Sequence, residues 1–358
     1  MELFYCANIN MSSGNVQLVA VGPQDVYFTE NPQVTFFKST FKRYTNFSTF
    51  MRKQQIYGEP QPGGMSTIRI EKYGDLLNYM FLTVSKGEEI QLISQWGNII
   101  ESAELLIGGA VIDKQDVTFS EEIAIDTLAS TGSKSFPANL HGGMGSPSFF
   151  YPFRFFCCES WASSLPLCAL QYHDVEIRIN WSANFDPANT VEFGSMFVTL
   201  DEAERTELVN EKLTEMLIFQ VQKSSPSREK SQELNFNHPV KFIASGNGNN
   251  DNALVSRTNR VSVEANGVEL CERNYAIPYF TSIPSYYHTM QSSSNAENLF
   301  LVPFCLDTAR YQATGTLNFS RLASFKIKCD QPITRPIYAV NYNVLRIQNG
   351  LAGLVFAN

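Results

Sequence analysis

Residues 103–113 read AELLIGGAVID, and the way this segment must fold decides the class of the whole protein. Ala103, Leu105 and Ile107 share one parity, Gly108 and Gly109 interrupt it, and Ala110 and Ile112 resume it. A two-residue hairpin turn whose twist suits paired strands needs positive φ at its central positions, which glycine accepts without steric cost. Pairing across the turn sets Ile107 opposite Ala110 and Leu105 opposite Ile112, so both arms present their apolar side chains to one face. Residues 261–270, VSVEANGVEL, repeat the device around Asn266-Gly267, with Ala265 expected opposite Val268 and Val263 opposite Leu270.

Each hairpin is followed by a long alternating strand. In QYHDVEIRINW (171–181), Val175, Ile177, Ile179 and Trp181 oppose Asp174, Glu176, Arg178 and Asn180; in SFKIKC (324–329), Phe325, Ile327 and Cys329 oppose Ser324, Lys326 and Lys328. Two similar layouts, offset by about half the chain, predict an internally duplicated all-β protein. Between them LDEAERTELVNEKL (200–213) reads as a connector helix, with Asp201 as cap, Glu204 as capping-box partner and Leu208, Val209 and Leu213 as a partial apolar stripe. It leads into LIFQVQ, where Leu217, Phe219 and Val221 alternate. Gly-, Ser- and Asn-rich connections cover 130–148, 244–256 and 292–298. No alternation of strands with long helices supports a doubly wound sheet or an eightfold α/β barrel.

At 358 residues the chain suits two domains. Its net charge of -8 argues against sequence-independent nucleic-acid binding, which depends on Lys and Arg displacing counterions from phosphates. Only 17% of residues are charged, while 27 Phe and 15 Tyr supply abundant aromatic surface, a balance that suits burial against other chains. Seven cysteines without a CxxC pair read as reduced thiols. No signal peptide or apolar run of membrane-spanning length is expected.

Catalytic and metal chemistry is poorly supplied. The four histidines, at 141, 173, 238 and 288, form no HxH or HxxxH spacing. His173 shares the parity of Val175 and reads as a buried or interfacial structural residue, and His238 as a turn or packing residue. GGMG (142–145) lacks the Lys and Ser/Thr of a phosphate loop, no GxSxG occurs, and Cys157-Cys158 beside Phe155, Phe156 and Trp161 reads as core packing. The segment VGPQDVYFTENPQVTFFKSTFKRYTNF (21–47) interleaves aromatic and basic residues, yet its irregular spacing in an acidic chain favours a structural clasp over a single-strand binding surface.

Blocks along nearly the whole chain, in order, resemble the major capsid proteins of the nucleo-cytoplasmic large DNA viruses: QLVAVGPQDVYFTENPQVTFFKSTFKRYTNF (17–47), ELLIGGAVIDKQ (104–115), LPLCALQYHDVEIRI (165–179), FNHPVKF (236–242), TGTLNFSRLASFKI (314–327) and IYAVNYNVLRIQNGLAGLVF (337–356). The resemblance implies two consecutive eight-stranded jelly rolls: an arm at 1–20, a first domain at 21–200, a connector helix at 201–214 and a second domain at 215–358. It implies a homotrimer of pseudo-hexagonal outline that tiles an icosahedral shell beside neighbouring capsomers and minor capsid proteins, with an internal viral membrane within reach. It implies no enzyme activity, catalytic residue, cofactor or metal, and no specific nucleic-acid binding. The chain would be made and assembled in the host cytoplasm and reside in the virion capsid. Gly22, Gln24, Asp25, Asn31, Pro32, Phe36, Phe37, Phe41 and Arg43 would form the capsomer-base and assembly segment, with the phenylalanines packed under or between the jelly rolls. Gly315, Asn318, Phe319, Ser320 and Arg321 match the family's second-domain motif. Alternatives are a minor or vertex-associated capsid or membrane-scaffold paralogue, and a carbohydrate-binding or hydrolytic β-sandwich.

Overall fold

Both hairpins turn as the sequence requires. Gly108 and Gly109 take φ of +58° and +80°, and Asn266 and Gly267 take +50° and +80°. Ile107 faces Ala110, and Ala265 faces Val268. One pair further on, the register departs from expectation in the same way twice. Leu106 faces Val111 and Leu105 then faces Asp113; Glu264 faces Glu269 and Val263 then faces Cys271. Ile112 and Leu270 are therefore the extra residues of bulges, and the expected pairs Leu105–Ile112 and Val263–Leu270 do not form. A bulge adds local twist and re-aims the next side chain. In the first hairpin that residue is Asp113.

The computed structural model describes residues 13–131, 134, 148–211, 213–248, 252–290 and 299–356. His141, the GGMG segment, residues 292–298 and parts of the 1–20, 130–148 and 244–256 segments lie outside the described residues. The chain divides into two units, Met1–Tyr44 and Thr45–Asn358. Within the first, the described residues contain short helices at Ser13–Val19 and Val26–Thr29.

The second unit holds two β-sandwiches. In the first, one sheet contains Phe47–Gln54, Thr190–Leu200, Leu76–Lys86 and Phe150–Pro152 in that spatial order; the other contains Met65–Arg69, Val175–Trp181, Ile100–Ile107 and Ala110–Asp116. Counted along the chain, these eight strands lie in the orders 1-8-3-6 and 2-7-4-5, which is the jelly-roll arrangement. The second sandwich repeats both orders with Leu213–Ser224, Ile337–Gln348, Pro239–Gly246 and Leu299–Pro303 facing Ser231–Glu233, Phe325–Cys329, Arg260–Ala265 and Val268–Tyr275. Short additional strands pair at the margins of three of the sheets.

The protein is not strictly all-β. Helices fill connections between strands, notably Val117–Glu122 and Ala124–Thr127 after the first hairpin and Ala276–Tyr279 and Ser282–His288 after the second. The connector helix covers Glu202–Asn210 and buries none of its residues, so the expected apolar stripe meets no core, and Leu213 opens the next strand instead. Asp201 occupies the N-cap without a side-chain capping bond, so no capping box forms with Glu204; Arg205 reaches instead to Asp75 at 3.0 Å.

The strand alternation holds where one face is covered: Val175, Ile177, Ile179 and Trp181 are fully buried, as are Phe325 and Ile327. It fails at 217–221, where Ile218, Phe219 and Gln220 are buried in succession. This strand lies between the sandwiches and is covered on both sides. One apolar core accordingly runs from the first sandwich into Ile218, Phe242, Leu301, Tyr338 and Val340 of the second.

Candidate assembly surfaces

The junction between the jelly rolls is built where the first bulge points. Asp113 is buried, and its Oδ1 accepts from the Val221 backbone N–H across the junction at 2.9 Å and from the Lys114 N–H at 3.0 Å, while Oδ2 accepts from Gln115 Nε2 at 2.7 Å. Burial pushes this carboxyl up to about 7, against the three hydrogen bonds that favour its charged form. Next to it, Gln220 donates through Nε2 to the Ile112 carbonyl and accepts at Oε1 from Asn343 Nδ2 at 2.8 Å. Asp116 caps helix Val117–Glu122 through the Phe119 N–H at 2.9 Å and, with its other oxygen, accepts from the Tyr338 hydroxyl at 2.7 Å and Lys223 Nζ at 2.6 Å.

At the far end of the same helix, Glu122 pairs with Arg335 through both carboxylate oxygens. Gly246 makes this approach feasible, since a Cβ there would lie 2.4 Å from the Glu122 Cβ. Beside the first turn, His173 Nδ1 accepts from the Ala352 N–H at 3.1 Å, and the Tyr172 N–H donates to the Gly350 carbonyl at 3.1 Å. His173 is thus the interfacial structural histidine that its parity implied. Gly108 is confined twice, by its positive φ and by a His173 ring that a Cβ would approach to 2.5 Å.

Sequence reading missed Asp113, Gln220, Glu122 and Arg335. The one legible signal was Asn341 and Asn343 in the apolar run IYAVNYNV, since buried polar groups in such a strand need partners.

The expected assembly segment lies mostly in the first unit. The Gly22 N–H donates to Asp25 Oδ2 at 2.8 Å, the Asp25 carbonyl accepts from Thr29 Oγ1 at 2.8 Å, and Asn31 takes φ of +50°. Gln24, Pro32 and Arg43 are exposed. Phe36, Phe37 and Phe41 are 91%, 99% and 86% exposed. The second-domain motif does a structural job. Gly315 takes φ of +135° against the Phe304 carbonyl, Asn318 Oδ1 accepts from the Ser320 N–H at 3.1 Å, and Ser320 Oγ accepts from the His238 N–H at 2.9 Å. Phe319 meanwhile packs 4.7 Å from Phe325.

Acidic side chains on and beside the first-roll strands stand in ion pairs. Asp174 pairs with Arg69 at 2.6 Å, and Glu104 with Lys114 at 2.8 Å and Arg178 at 3.3 Å. Cys157 and Cys158 are buried in the core, where the contact with Cys158 and then burial push the Cys157 thiol well up, opposite to what a nucleophile needs. Among the described residues, no group of three or more His, Cys, Asp or Glu is placed to hold a metal.

The fold is thus a double jelly roll with a polar, interlocked junction. Residues 35–209 match the family described as Major capsid protein N-terminus. The chain is 30% identical to the major capsid protein of Pyramimonas orientalis virus, covering 97% of this chain and all of that one, and 27% identical to that of Paramecium bursaria Chlorella virus 1 over the same shares. Among solved structures it superposes on a chain of the PBCV-1 virus capsid with a TM-score of 0.74 at 24% identity, covering 90% of this chain and all of that one. The Faustovirus major capsid protein superposes with a TM-score of 0.64 at 10% identity, covering 92% and 94%. The protein belongs to the major capsid protein family of large DNA viruses.

Proposed function

We propose that three copies of this chain close head to tail into a capsomer of six jelly rolls, and that such capsomers tile the icosahedral shell of a large DNA virus. The observation that carries this reading is a pair of exposed faces that mirrors the pair buried in the junction. Within the chain, the fifth strand of the first roll and the helix after it are covered by edge strand Leu213–Ser224 of the second roll. The fifth strand of the second roll, Val268–Tyr275, and the helices after it instead carry exposed Val268, Leu270, Tyr279, Tyr286 and Tyr287. The strand that holds in the first roll the edge place of Leu213–Ser224 is Phe47–Gln54, with Met51 and Arg52 exposed.

Joining these two faces between copies repeats the intrachain contact. Such a contact is heterologous and closes into a ring when its rotation allows. Apolar exposure of this extent is what an obligate interface covers. At the capsomer base, Phe36, Phe37 and Phe41 then dock on a neighbouring chain, and Lys38, Lys42 and Arg43 face its carboxylates or the particle interior. Weaker contacts with neighbouring capsomers and minor capsid proteins add up over the lattice while single errors dissociate. On the same reading, and as the family resemblance implies, the chain assembles in the host cytoplasm, close to an internal viral membrane.

Light scattering on the purified chain is expected to give three chain masses, and Leu270→Asp with Tyr286→Asp to give one. A wild-type monomer, or a trimer indifferent to both substitutions, would sink the proposal. Replacing Phe36 and Phe37 by Ala should lower shell yield more than replacing Lys38 and Lys42; the reverse ranking would assign the segment an electrostatic role.

A further inference from the structure

A cavity of about 220 Å³ lies where the two jelly rolls meet, walled by Leu128 and Glu159 of the first and by Lys241, Arg310 and Tyr342 of the second. Lys241 reaches it through a third bulge. Val240 faces Asn341 and Phe242 faces Val340, which leaves Lys241 as the extra residue, turned out of the ladder's alternation. It is 2% exposed, its ammonium lies 5.3 Å from the centre of the Tyr342 ring, and it donates to the Arg310 carbonyl at 3.3 Å. The Tyr342 hydroxyl is buried and has no hydrogen-bond partner among the described residues. A buried cation without an ion pair and a buried hydroxyl without an acceptor are both costly, and both are relieved by an oxyanion.

The charges around the cavity favour the same ligand. Glu159 is held by Arg154 at 3.1 Å and Lys134 at 3.6 Å. Asp307, whose field also reaches Lys241, accepts from the Ala309 N–H at 2.8 Å and pairs with Arg310 at 3.2 Å. Each carboxylate thus stands in an ion pair, Glu159 without a hydrogen bond to either oxygen among the described residues, and among the charged side chains that line the cavity the cations Lys241 and Arg310 outnumber the carboxylate Glu159. The space equals several waters at about 30 Å³ each, enough for a small oxyanion with part of its hydration.

We infer that this cavity is a binding site for a small oxyanion, phosphate or carboxylate, held by the Lys241 ammonium and the Tyr342 hydroxyl between the two jelly rolls. The bound anion would neutralise the charge that the junction buries and so tighten the two rolls against each other. Burial lowers the Lys241 ammonium to about 8, so the site binds while Lys241 is cationic and releases the anion as pH rises beyond that value.

Isothermal titration of the purified, assembled protein at pH 7 with inorganic phosphate, and separately with acetate, each against chloride at matched ionic strength, tests the site. One saturable site per chain is expected for phosphate, acetate or both, and the stronger of the two identifies the source of the anion. Tyr342→Phe, which removes one hydrogen bond and little volume, should weaken binding about tenfold, and Lys241→Met should abolish it. Repeating the wild-type titration at pH 9.5 should show markedly weaker binding. Absence of saturable binding to the wild type at pH 7, or unchanged affinity in Tyr342→Phe, overturns the inference even if Lys241→Met fails to fold.

Discussion

The two glycine-containing hairpins are built to one local plan and end in opposite surroundings. Each turns on two left-handed residues and carries its bulge at the same place, one pair beyond the turn pair. Yet the bulged Ile112 is 2% exposed and the bulged Leu270 is 49% exposed. The first is covered by the second jelly roll of its own chain, and the second has no such cover among the described residues. One local structure thus serves as an internal joint in one half and as an outward face in the other.

Substitutions at matched positions sharpen that contrast. Ile112→Ala should cost about 3 kcal/mol in denaturant unfolding, since the site is enclosed and cannot readily collapse. Equal costs for Ile112→Ala and Leu270→Ala in the dissociated chain would break the comparison. Gly108→Ala and Gly267→Ala both meet a left-handed backbone, worth about 1 kcal/mol. At Gly108 the added Cβ also displaces His173, whereas at Gly267 nothing lies within 4 Å. Gly108→Ala should therefore cost about 2–3 kcal/mol in all, and melting curves of the two variants side by side check the ranking.

Asp113 gives the joint a pH dependence in the acid-to-neutral range. Its carboxyl is raised in the folded chain, so the native state binds the proton more tightly than the unfolded chain between about 4 and 7. Its contribution is favourable at low pH and is lost as pH rises through about 7. Between pH 8 and pH 5 the wild type should gain about 2 kcal/mol relative to Asp113→Asn. Parallel stability curves for the two proteins would remove the buried charge from the account. The smallest effect is expected from Leu270→Ser in the dissociated chain, within about 0.5 kcal/mol of wild type by chemical denaturation. The same substitution should still lower trimer yield.

Much of the fold was legible. Gly108-Gly109, Asn266-Gly267 and the alternation at 175–181 and 325–329 are local devices, set by turn sterics and by the period of two along a strand. The registers Leu105–Ile112 and Val263–Leu270 were not legible, because a bulge leaves no mark in an apolar alternation that reads equally well without it. Gln220 and Asp113 were unreadable as junction residues for a different reason. Their burial depends on partners at Asn343 and Val221, far away in sequence, and an isolated polar residue in a strand otherwise implies solvent.

By itself the sequence determined two strand-rich halves, their turns and their inward faces, because backbone sterics and side-chain period act over a few residues. Which polar groups the halves would share, which of two equivalent edges would be closed within the chain, and that Lys241 would face a cavity were decided only by tertiary structure. Those outcomes depend on desolvation and on partners brought together from more than a hundred residues apart, as Asp113 with Val221 and Glu122 with Arg335.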